Sequence, residues 1–75
     1  MVGVLVGLDW LYRQMELVGL ASLQEAAEAC GLDKAALWRY FNFDVRPSVE
    51  RLPSLCRGLQ VSLDELLVAL AAHIP

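Results

Sequence analysis

The charged side chains are the first feature to consider in this 75-residue sequence. Six basic and nine acidic residues give a formal net charge of −3, which by itself argues against a nucleic-acid partner. Five of the six basic residues nevertheless fall between positions 33 and 57, where the net charge is +2. They are Lys34, Arg39, Arg46, Arg51 and Arg57. Because Lys and Arg clustered in one segment can neutralise phosphates, this middle third is the candidate anion-binding part of the chain.

Groups suited to catalysis or metal binding are sparse. His73 is the single histidine, Cys30 and Cys56 form no CxxC motif, and the sequence has no glycine-rich phosphate loop. A zinc site usually needs about four ligands, and catalysis needs an acid, base or nucleophile converging in one pocket. We therefore expect no enzyme activity, no metal and no cofactor. Both cysteines are expected to be reduced core residues, with a single disulfide as the alternative.

Composition predicts one small domain over residues 1–75, with 57% hydrophobic and 20% charged residues. A core of this size rarely supplies more than about 3–5 kcal/mol, so the apolar surplus favours a partner. The apolar stretch 1–8 is far shorter than the roughly 18 residues of a membrane span, and no basic segment precedes it, which predicts a cytoplasmic protein. Residues 1–7 are either a frayed lead-in to the first helix or an apolar arm against a second subunit.

Helical periodicity runs through nearly the whole chain and predicts an all-α fold of five short helices. The first helix ends near Val18 or Gly19, and the second begins at a capping box formed by Ser22 and Glu25. Gly31 closes the second helix. The inward positions are Leu8, Leu11, Tyr12 and Met15 in the first helix and Leu23, Ala26, Ala27 and Cys30 in the second.

The other three helices have weaker boundaries. Asp33 caps the third, which Asn42 ends in a left-handed conformation. Ser48 caps the fourth, but Pro53 lies inside it and makes its first turn doubtful. Ser62 and Glu65 form a second capping box, and Val61 staples against Leu66. The inward positions are Leu37 and Tyr40 in the third helix, Val49, Leu52, Leu55, Cys56 and Leu59 in the fourth, and Leu63, Leu66, Leu67, Leu70 and Ile74 in the fifth.

The segment from Ser22 to Asn42 has the spacing of a helix-turn-helix. Ala27 lets the two helices cross closely, and Gly31 permits a sharp turn between them. Leu32 and Leu37 fill the angle between the helices. These small and apolar residues therefore each have a geometric role in the motif.

This pattern resembles the Cro/lambda-repressor-like helix-turn-helix family, also called XRE-type. The family pattern continues with a Pro-Ser, a helix and a Val-Ser-Leu-Asp-Glu-Leu-Leu-like ending, which Pro47-Ser48 and Val61-Ser-Leu-Asp-Glu65-Leu-Leu67 supply here. The resemblance covers residues 22–67, which is 46 of the 75 residues. It implies a compact five-helix lambda-repressor-like DNA-binding domain in a cytoplasmic, nucleoid-associated protein.

The resemblance also implies which residues contact DNA. The third helix enters the major groove, and its base-reading positions correspond to Lys34, Ala35, Trp38 and Arg39. Phosphate contacts correspond to Ser22, Gln24, Arg46, Ser48 and Arg51. The chain departs from the family at Leu23, where a Gln is common, at Phe41, where an acid is common, and at Phe43, where a Gly is common. These departures put the loop and the phosphate contacts in question.

Three functions follow from these expectations. The first is a sequence-specific transcriptional regulator, a dimeric repressor that reads a palindromic operator and pairs through Leu66, Leu70 and Ile74 of helix five. The second is a protein-interaction module with the same fold that binds another regulator or a polymerase subunit. The acidic net charge, Leu23 and an aromatic cluster of Trp38, Phe41 and Phe43 favour it. The third is an antitoxin-like component that combines both roles.

Overall fold

The computed structural model describes residues 6–70, and within that range every regular element is helical. The helices are α1 (Gly7–Val18), α2 (Leu23–Cys30), α3 (Lys34–Phe41), α4 (Leu52–Leu59) and α5 (Leu63–Ala69), with a 3-10 turn at Val49–Arg51 before α4. The expected all-α fold is confirmed. No helix within residues 6–70 is long and apolar enough to cross a membrane. Most of the predicted N-terminal arm, residues 1–7, lies outside the described residues. His73 and Ile74 also lie outside them.

Side-chain caps start three of the helices where the sequence predicts them. The backbone N–H of Glu25 donates to Ser22 Oγ (3.2 Å), and that of Ala36 donates to Asp33 Oδ1 (2.6 Å). Ser62 and Glu65 form the complete reciprocal capping box. At Ser22 only half of the box forms, because the Glu25 carboxylate accepts from the N–H of Ala21 instead. Satisfied N–H groups at these helix starts fix where each helix begins.

The core forms between α2 and α4 and between α1 and α3. Its largest fully buried side chains are Leu11, Leu37, Phe41, Leu55, Leu59 and Leu66. At Gly58 an added Cβ would lie 2.6 Å from Cys30 Sγ and 2.7 Å from the Ala29 carbonyl oxygen, so α4 approaches the backbone of α2 directly. On the other side of the core, Trp10 stacks on Phe41 with ring centroids 5.7 Å apart. The core therefore holds α3 from behind through both α1 and α2.

Some predicted inward positions are wrong. Tyr12 is 46% exposed, because α1 buries the Leu11 and Met15 stripe and Tyr12 is rotated about 100° from Leu11. Val49 is 81% exposed, since it lies in the 3-10 turn and does not continue the phase of α4. Pro53 is at the start of α4 rather than inside it, where its missing N–H leaves no helical bond unmade. On α5, Leu63 and Leu67 are also exposed.

Two left-handed residues were not expected. Asn42 has φ −88°, so the prediction that it ends α3 in a left-handed conformation is wrong. Phe43 takes that role with φ 62°, and Gln60 does the same after α4 with φ 58°. The resembled family commonly has glycine at the Phe43 position, where a left-handed backbone costs nothing in steric terms. Here the Phe43 ring covers Gly7, whose added Cβ would lie 2.9 Å from it, which gives Phe43 a packing role that glycine lacks.

Gln60→Gly is expected to raise the free energy of unfolding by about 0.5–1 kcal/mol. The gain is the relieved left-handed strain of about 1–2 kcal/mol, reduced by the greater entropy of an unfolded glycine chain. Urea unfolding followed by circular dichroism measures it. Gln24→Gly is the matched control, because the same exchange within right-handed α2 should cost about 1 kcal/mol. A destabilised Gln60→Gly variant would contradict the strain at this position.

Both cysteines are free thiols, which answers the disulfide alternative left by the sequence. Cys30 is buried and Cys56 is half-buried. Burial raises the pKa of the Cys30 thiol from 9.0 to about 11. Its proton is therefore held more tightly in the folded chain, so this thiol favours folding below pH 9 and loses that contribution as the pH rises towards 11. At neutral pH Cys30 is an unreactive core side chain.

Candidate nucleic-acid interface

The position of α3 is fixed by one cap and two buried side chains. Asp33 caps its start, and Leu37 and Phe41 are 0% and 1% exposed. Leu37 and Phe41 are four residues apart, so they lie on the same side of the helix. With both side chains anchored in the core, the opposite side of α3 must face outwards.

The outward side of α3 consists of the four predicted base-reading residues. Lys34, Ala35, Trp38 and Arg39 are all exposed. Lys34 lies one turn before Trp38, and Ala35 lies one turn before Arg39. At about 100° per residue, the four positions together span about 140° of the helix circumference. The structure therefore brings these residues onto one face, which we call the α3 face.

The cations of the α3 face are free to bind a partner. Within residues 6–70, the side chains of Lys34 and Arg39 make no hydrogen bond and no ion pair. Trp38 is 38% exposed, so its indole ring is only partly packed against the protein. The face thus presents hydrogen-bond donors, a methyl group and an aromatic edge together. That combination matches what a duplex offers in its major groove, namely base acceptors and thymine methyl groups.

The start of α2 is a less favourable phosphate site than the sequence predicts. Ser22 Oγ already accepts from the N–H of Glu25, and Gln24 Nε2 donates to Glu28 Oε2 at 3.2 Å. The Glu25 carboxylate also accepts from the N–H of Ala21 at 3.3 Å. Two carboxylates therefore lie within hydrogen-bond distance of Ala21 and Gln24 at the start of α2. Their negative charge competes with a phosphate for the donors at this helix end.

The loop after α3 is more suitable for an anion. Arg46, Ser48 and Arg51 are exposed, and in the described part of the chain neither arginine forms an ion pair. The Ser48 side chain makes no capping bond, so its hydroxyl can donate to a ligand. The nearest acid in sequence to this hydroxyl is Glu50 in the 3-10 turn. These three residues are the better phosphate candidates of the predicted five.

The aromatic cluster suggested by the sequence does not form a surface. Phe41 is buried beneath Trp10, and Phe43 is half-buried over Gly7. Trp38 alone of the three is exposed. Two of the three residues of the suggested protein-binding aromatic patch are therefore not available to a partner. Both phenylalanines instead pack α1 against the end of α3.

The predicted dimer residues on α5 also need correction. Leu66 and Leu70 are 0% and 3% exposed, since both pack into the core of the chain itself. A second chain cannot reach them, and the third predicted residue is not described. The exposed apolar side chains of α5 are instead Leu63, Leu67 and Val68.

Arg13 on α1 and Arg57 on α4 are exposed cations that received no role from the sequence. Arg57 lies on α4, is exposed, and has no ion pair within residues 6–70. Nothing in the periodicity separates it from an ordinary surface residue. Among the described residues there is also no group of three His, Cys, Asp or Glu side chains that could hold a metal ion.

Comparison with known proteins identifies the family. A family model described as helix-turn-helix matches residues 12–66, from within α1 to within α5. The match includes all of α2, the turn at Gly31 and all of α3, and it extends the sequence resemblance towards the N-terminus. No match to the chain was found among the curated proteins or among the solved structures. With its buried anchors, capped α3 and family match, the chain belongs to the Cro/lambda-repressor-like (XRE-type) helix-turn-helix family of DNA-binding regulators.

Proposed function

We propose that this chain is a sequence-specific transcriptional regulator that reads DNA through the α3 face. The observation that carries the proposal is the arrangement of α3 itself. Leu37 and Phe41 hold it rigidly from behind, while Lys34 and Arg39 project from the other side without partners. A rigid helix with unpaired donors on its outer face is what base recognition in the major groove requires.

Each residue of the α3 face has a defined task in this proposal. The Arg39 guanidinium donates two hydrogen bonds to O6 and N7 of a guanine, and Lys34 donates to the same kind of acceptor. Ala35 contacts a thymine methyl group. Trp38 packs its ring edge against sugar or base edges beside them. Arg39 is the main determinant of sequence, because a bidentate contact fixes both the position and the identity of the base.

Phosphate contacts position the helix in the groove. We assign them first to Arg46, Ser48 and Arg51, whose donors are unengaged, and second to Ser22 and Gln24. Each phosphate that the protein neutralises makes the plot of the logarithm of the binding constant against the logarithm of the salt concentration steeper, by about 0.9 in slope. Because the chain carries a net charge of −3, its binding to random DNA should be weak. Specific base contacts must then supply much of the affinity for the operator.

We further propose that the regulator is a homodimeric repressor acting on a palindromic operator in the nucleoid. Two copies related by a two-fold axis place their recognition helices about one DNA turn, roughly 34 Å, apart. A palindrome presents the same half-site to each copy. A protein of this kind blocks access to the DNA that it covers, and its place of action is the cytoplasm, where the DNA is.

Selection of bound sequences from a random duplex pool at low salt tests this function. The wild type should enrich a motif with two-fold symmetry, and Lys34→Ala/Arg39→Ala should lose it. Arg57→Ala is the matched control, because it removes another exposed and unpaired cation, from α4. If the folded wild type enriches no sequence, the DNA-reading proposal is wrong. A protein-interaction module or an antitoxin-like component would then be tested through partner binding at Trp38.

A further inference from the structure

A groove lies between α1 and α5, and its lining follows from helical spacing. Trp10, Gln14 and Leu17 share one side of α1, because they recur at intervals of four and three residues. Asp64 and Val68, four residues apart, line the groove from α5. The volume of the groove is about 410 Å³, and small-molecule sites typically measure about 300–1,000 Å³. The groove is therefore large enough for a small ligand.

Most of the surface that this groove offers is apolar. Leu17 is 70% exposed and Val68 is 50% exposed, although both are large apolar side chains. Trp10 is half-buried and adds an aromatic ring to the same lining. A ligand that covers these side chains gains free energy only where its own surface is also apolar. The lining therefore favours a ligand with apolar side chains.

Charged groups of opposite sign lie on the two walls. Arg13 belongs to the α1 wall, and Asp64 and Glu65 belong to the α5 wall. Glu65 is engaged in the capping box with Ser62, whereas Arg13 and Asp64 form no ion pair within residues 6–70. The guanidinium group remains open to a carboxylate, and the Asp64 carboxylate remains open to an ammonium group.

Gln14 adds a neutral acceptor to the α1 wall. Its Nε2 donates to the Leu59 carbonyl oxygen at 2.9 Å, which holds the side chain in place. Its Oε1 accepts no hydrogen bond in the described part of the chain. A backbone N–H of a bound peptide has the chemistry to donate to this oxygen.

We propose that the groove between α1 and α5 binds a short apolar peptide with free termini. Arg13 binds the carboxylate of the peptide, Asp64 binds its ammonium group, and its side chains pack against Leu17 and Val68. A free amino acid carries both charges on one carbon atom, whereas the termini of an extended dipeptide are about 7 Å apart. Because Arg13 and Asp64 are too far apart to pair with each other, the longer ligand fits both.

Trp10 connects this groove to α3. Its ring stacks on Phe41 with centroids 5.7 Å apart, and Phe41 is one of the two buried anchors of α3. A peptide packed against Trp10 therefore stabilises the stack that holds α3. On the proposed function, which this step alone requires, saturating peptide should raise the affinity for the operator by about fivefold or more. Peptide binding itself requires no DNA.

The fluorescence of Trp10 tests the site in the absence of DNA. The Trp38→Phe chain keeps Trp10 as its single tryptophan. L-leucyl-L-leucine should change its emission with a dissociation constant of about 0.1–1 mM, as expected for a ligand of this size. L-leucine, the N-acetylated dipeptide and the dipeptide amide should each bind at least about tenfold more weakly. Equal binding of L-leucine would contradict the peptide assignment, and no response to the dipeptide at millimolar concentration would overturn the proposal.

Neutral variants assign each terminus of the peptide to a wall. Arg13→Gln should reduce the affinity for the dipeptide to that for its amide, and it should leave binding of the amide unchanged. Asp64→Asn should act in the same way towards the N-acetylated form. Arg57→Gln is the matched control, because it removes an exposed cation that does not line the groove. If Arg13→Gln weakened binding of the dipeptide and of its amide equally, Arg13 would not bind the carboxylate.

A second groove provides the apolar control. It is lined by Val49, Leu52, Pro53, Cys56 and Leu63 and has no charged side chain for a peptide terminus. Leu17→Ser should weaken binding of the dipeptide by at least about fivefold, and Val49→Ser should not. Both positions are exposed, so both variants should keep the wild-type circular dichroism spectrum. The reverse result would place the peptide in the second groove. Trp10 emission that changes with protein concentration but not with the dipeptide would mean that another copy of the chain covers the site, which would overturn the proposal.

Discussion

Gly58→Ala is expected to lower the free energy of unfolding by about 2–3 kcal/mol. The added methyl group would lie 2.6 Å from Cys30 Sγ and 2.7 Å from the Ala29 carbonyl oxygen. Overpacking of a tight core costs about 1–3 kcal/mol or more, and alanine recovers about 1 kcal/mol of helix propensity. We place the net effect at the upper end because two of the three closest atoms belong to the Ala29 backbone, so α2 and α4 must separate as a whole.

Three further variants separate the causes of this loss. Cys30→Ala removes the sulfur atom but leaves the Ala29 carbonyl in place, so the Cys30→Ala/Gly58→Ala chain should remain less stable than Cys30→Ala alone. Gly19→Ala is the matched glycine control, because its Cβ would meet no atom within 4 Å and only its φ of 80° opposes the change. That control should cost about 1 kcal/mol. Urea unfolding measures the free energy of unfolding of the four variants and of the wild type. A Gly58→Ala variant as stable as the wild type would contradict the close α2–α4 approach.

Loss of both α3 cations should have the largest effect on DNA binding. Lys34→Ala/Arg39→Ala is expected to weaken binding to the selected operator by about 2–4 kcal/mol, or roughly 30- to 700-fold. In the proposed function each residue would donate hydrogen bonds to base acceptors, which the alanine side chain cannot do. Binding to unrelated duplexes should fall much less, so the specificity ratio decreases. Folding should be unaffected, because neither side chain has a partner within residues 6–70.

Fluorescence anisotropy titrations on operator and scrambled duplexes measure this loss. Arg46→Ala is the contrasting variant, because a phosphate contact should weaken binding to both duplexes and lower the salt slope by about 1. Arg57→Ala should change little. If Lys34→Ala/Arg39→Ala weakened binding equally on both duplexes, the two side chains would be phosphate contacts rather than base readers.

The starts of α2, α3 and α5 and the orientation of α3 could be predicted from the sequence, since they depend on local chemistry. The start of α4 could not, because Ser48 makes no capping bond and a 3-10 turn precedes the helix. Ser22, Asp33 and Ser62 cap helices through bonds to residues three positions away. Such bonds are encoded within one turn and need no tertiary context. Once the cap and the Leu37 anchor fix the phase of α3, its exposed side follows from 3.6 residues per turn.

The buried side of α5 could not be predicted in the same way. Leu63, Leu66, Leu67 and Val68 surround much of this short helix, so periodicity does not select one stripe. The structure buries Leu66 and exposes the other three, because α5 packs mainly against α4 and α1. The left-handed Phe43 and Gln60 were missed because neither residue type favours that conformation, which is imposed by how the chain must turn.

The phosphate candidates divide for an electrostatic reason. Arg46, Ser48 and Arg51 keep free donors, whereas Ser22 and Gln24 are engaged with neighbouring backbone and carboxylate groups. A linear motif records which residue types are present but not which of them already satisfy one another. The hydrogen bonds of the Glu25 and Glu28 carboxylates at the start of α2 therefore could not be predicted from the motif.

The anchoring of α3 also bears on how this protein can change through evolution. Position 58 admits only glycine without displacing a helix, and Leu37 and Phe41 are enclosed by the core. The side chains at 34, 35, 38 and 39, in contrast, are exposed on the other side of the same helix. Mutations there carry little penalty in folding, so under the proposed function operator preference could drift while the scaffold is preserved. A lineage of such proteins would then acquire new target sequences through surface exchanges on a single helix.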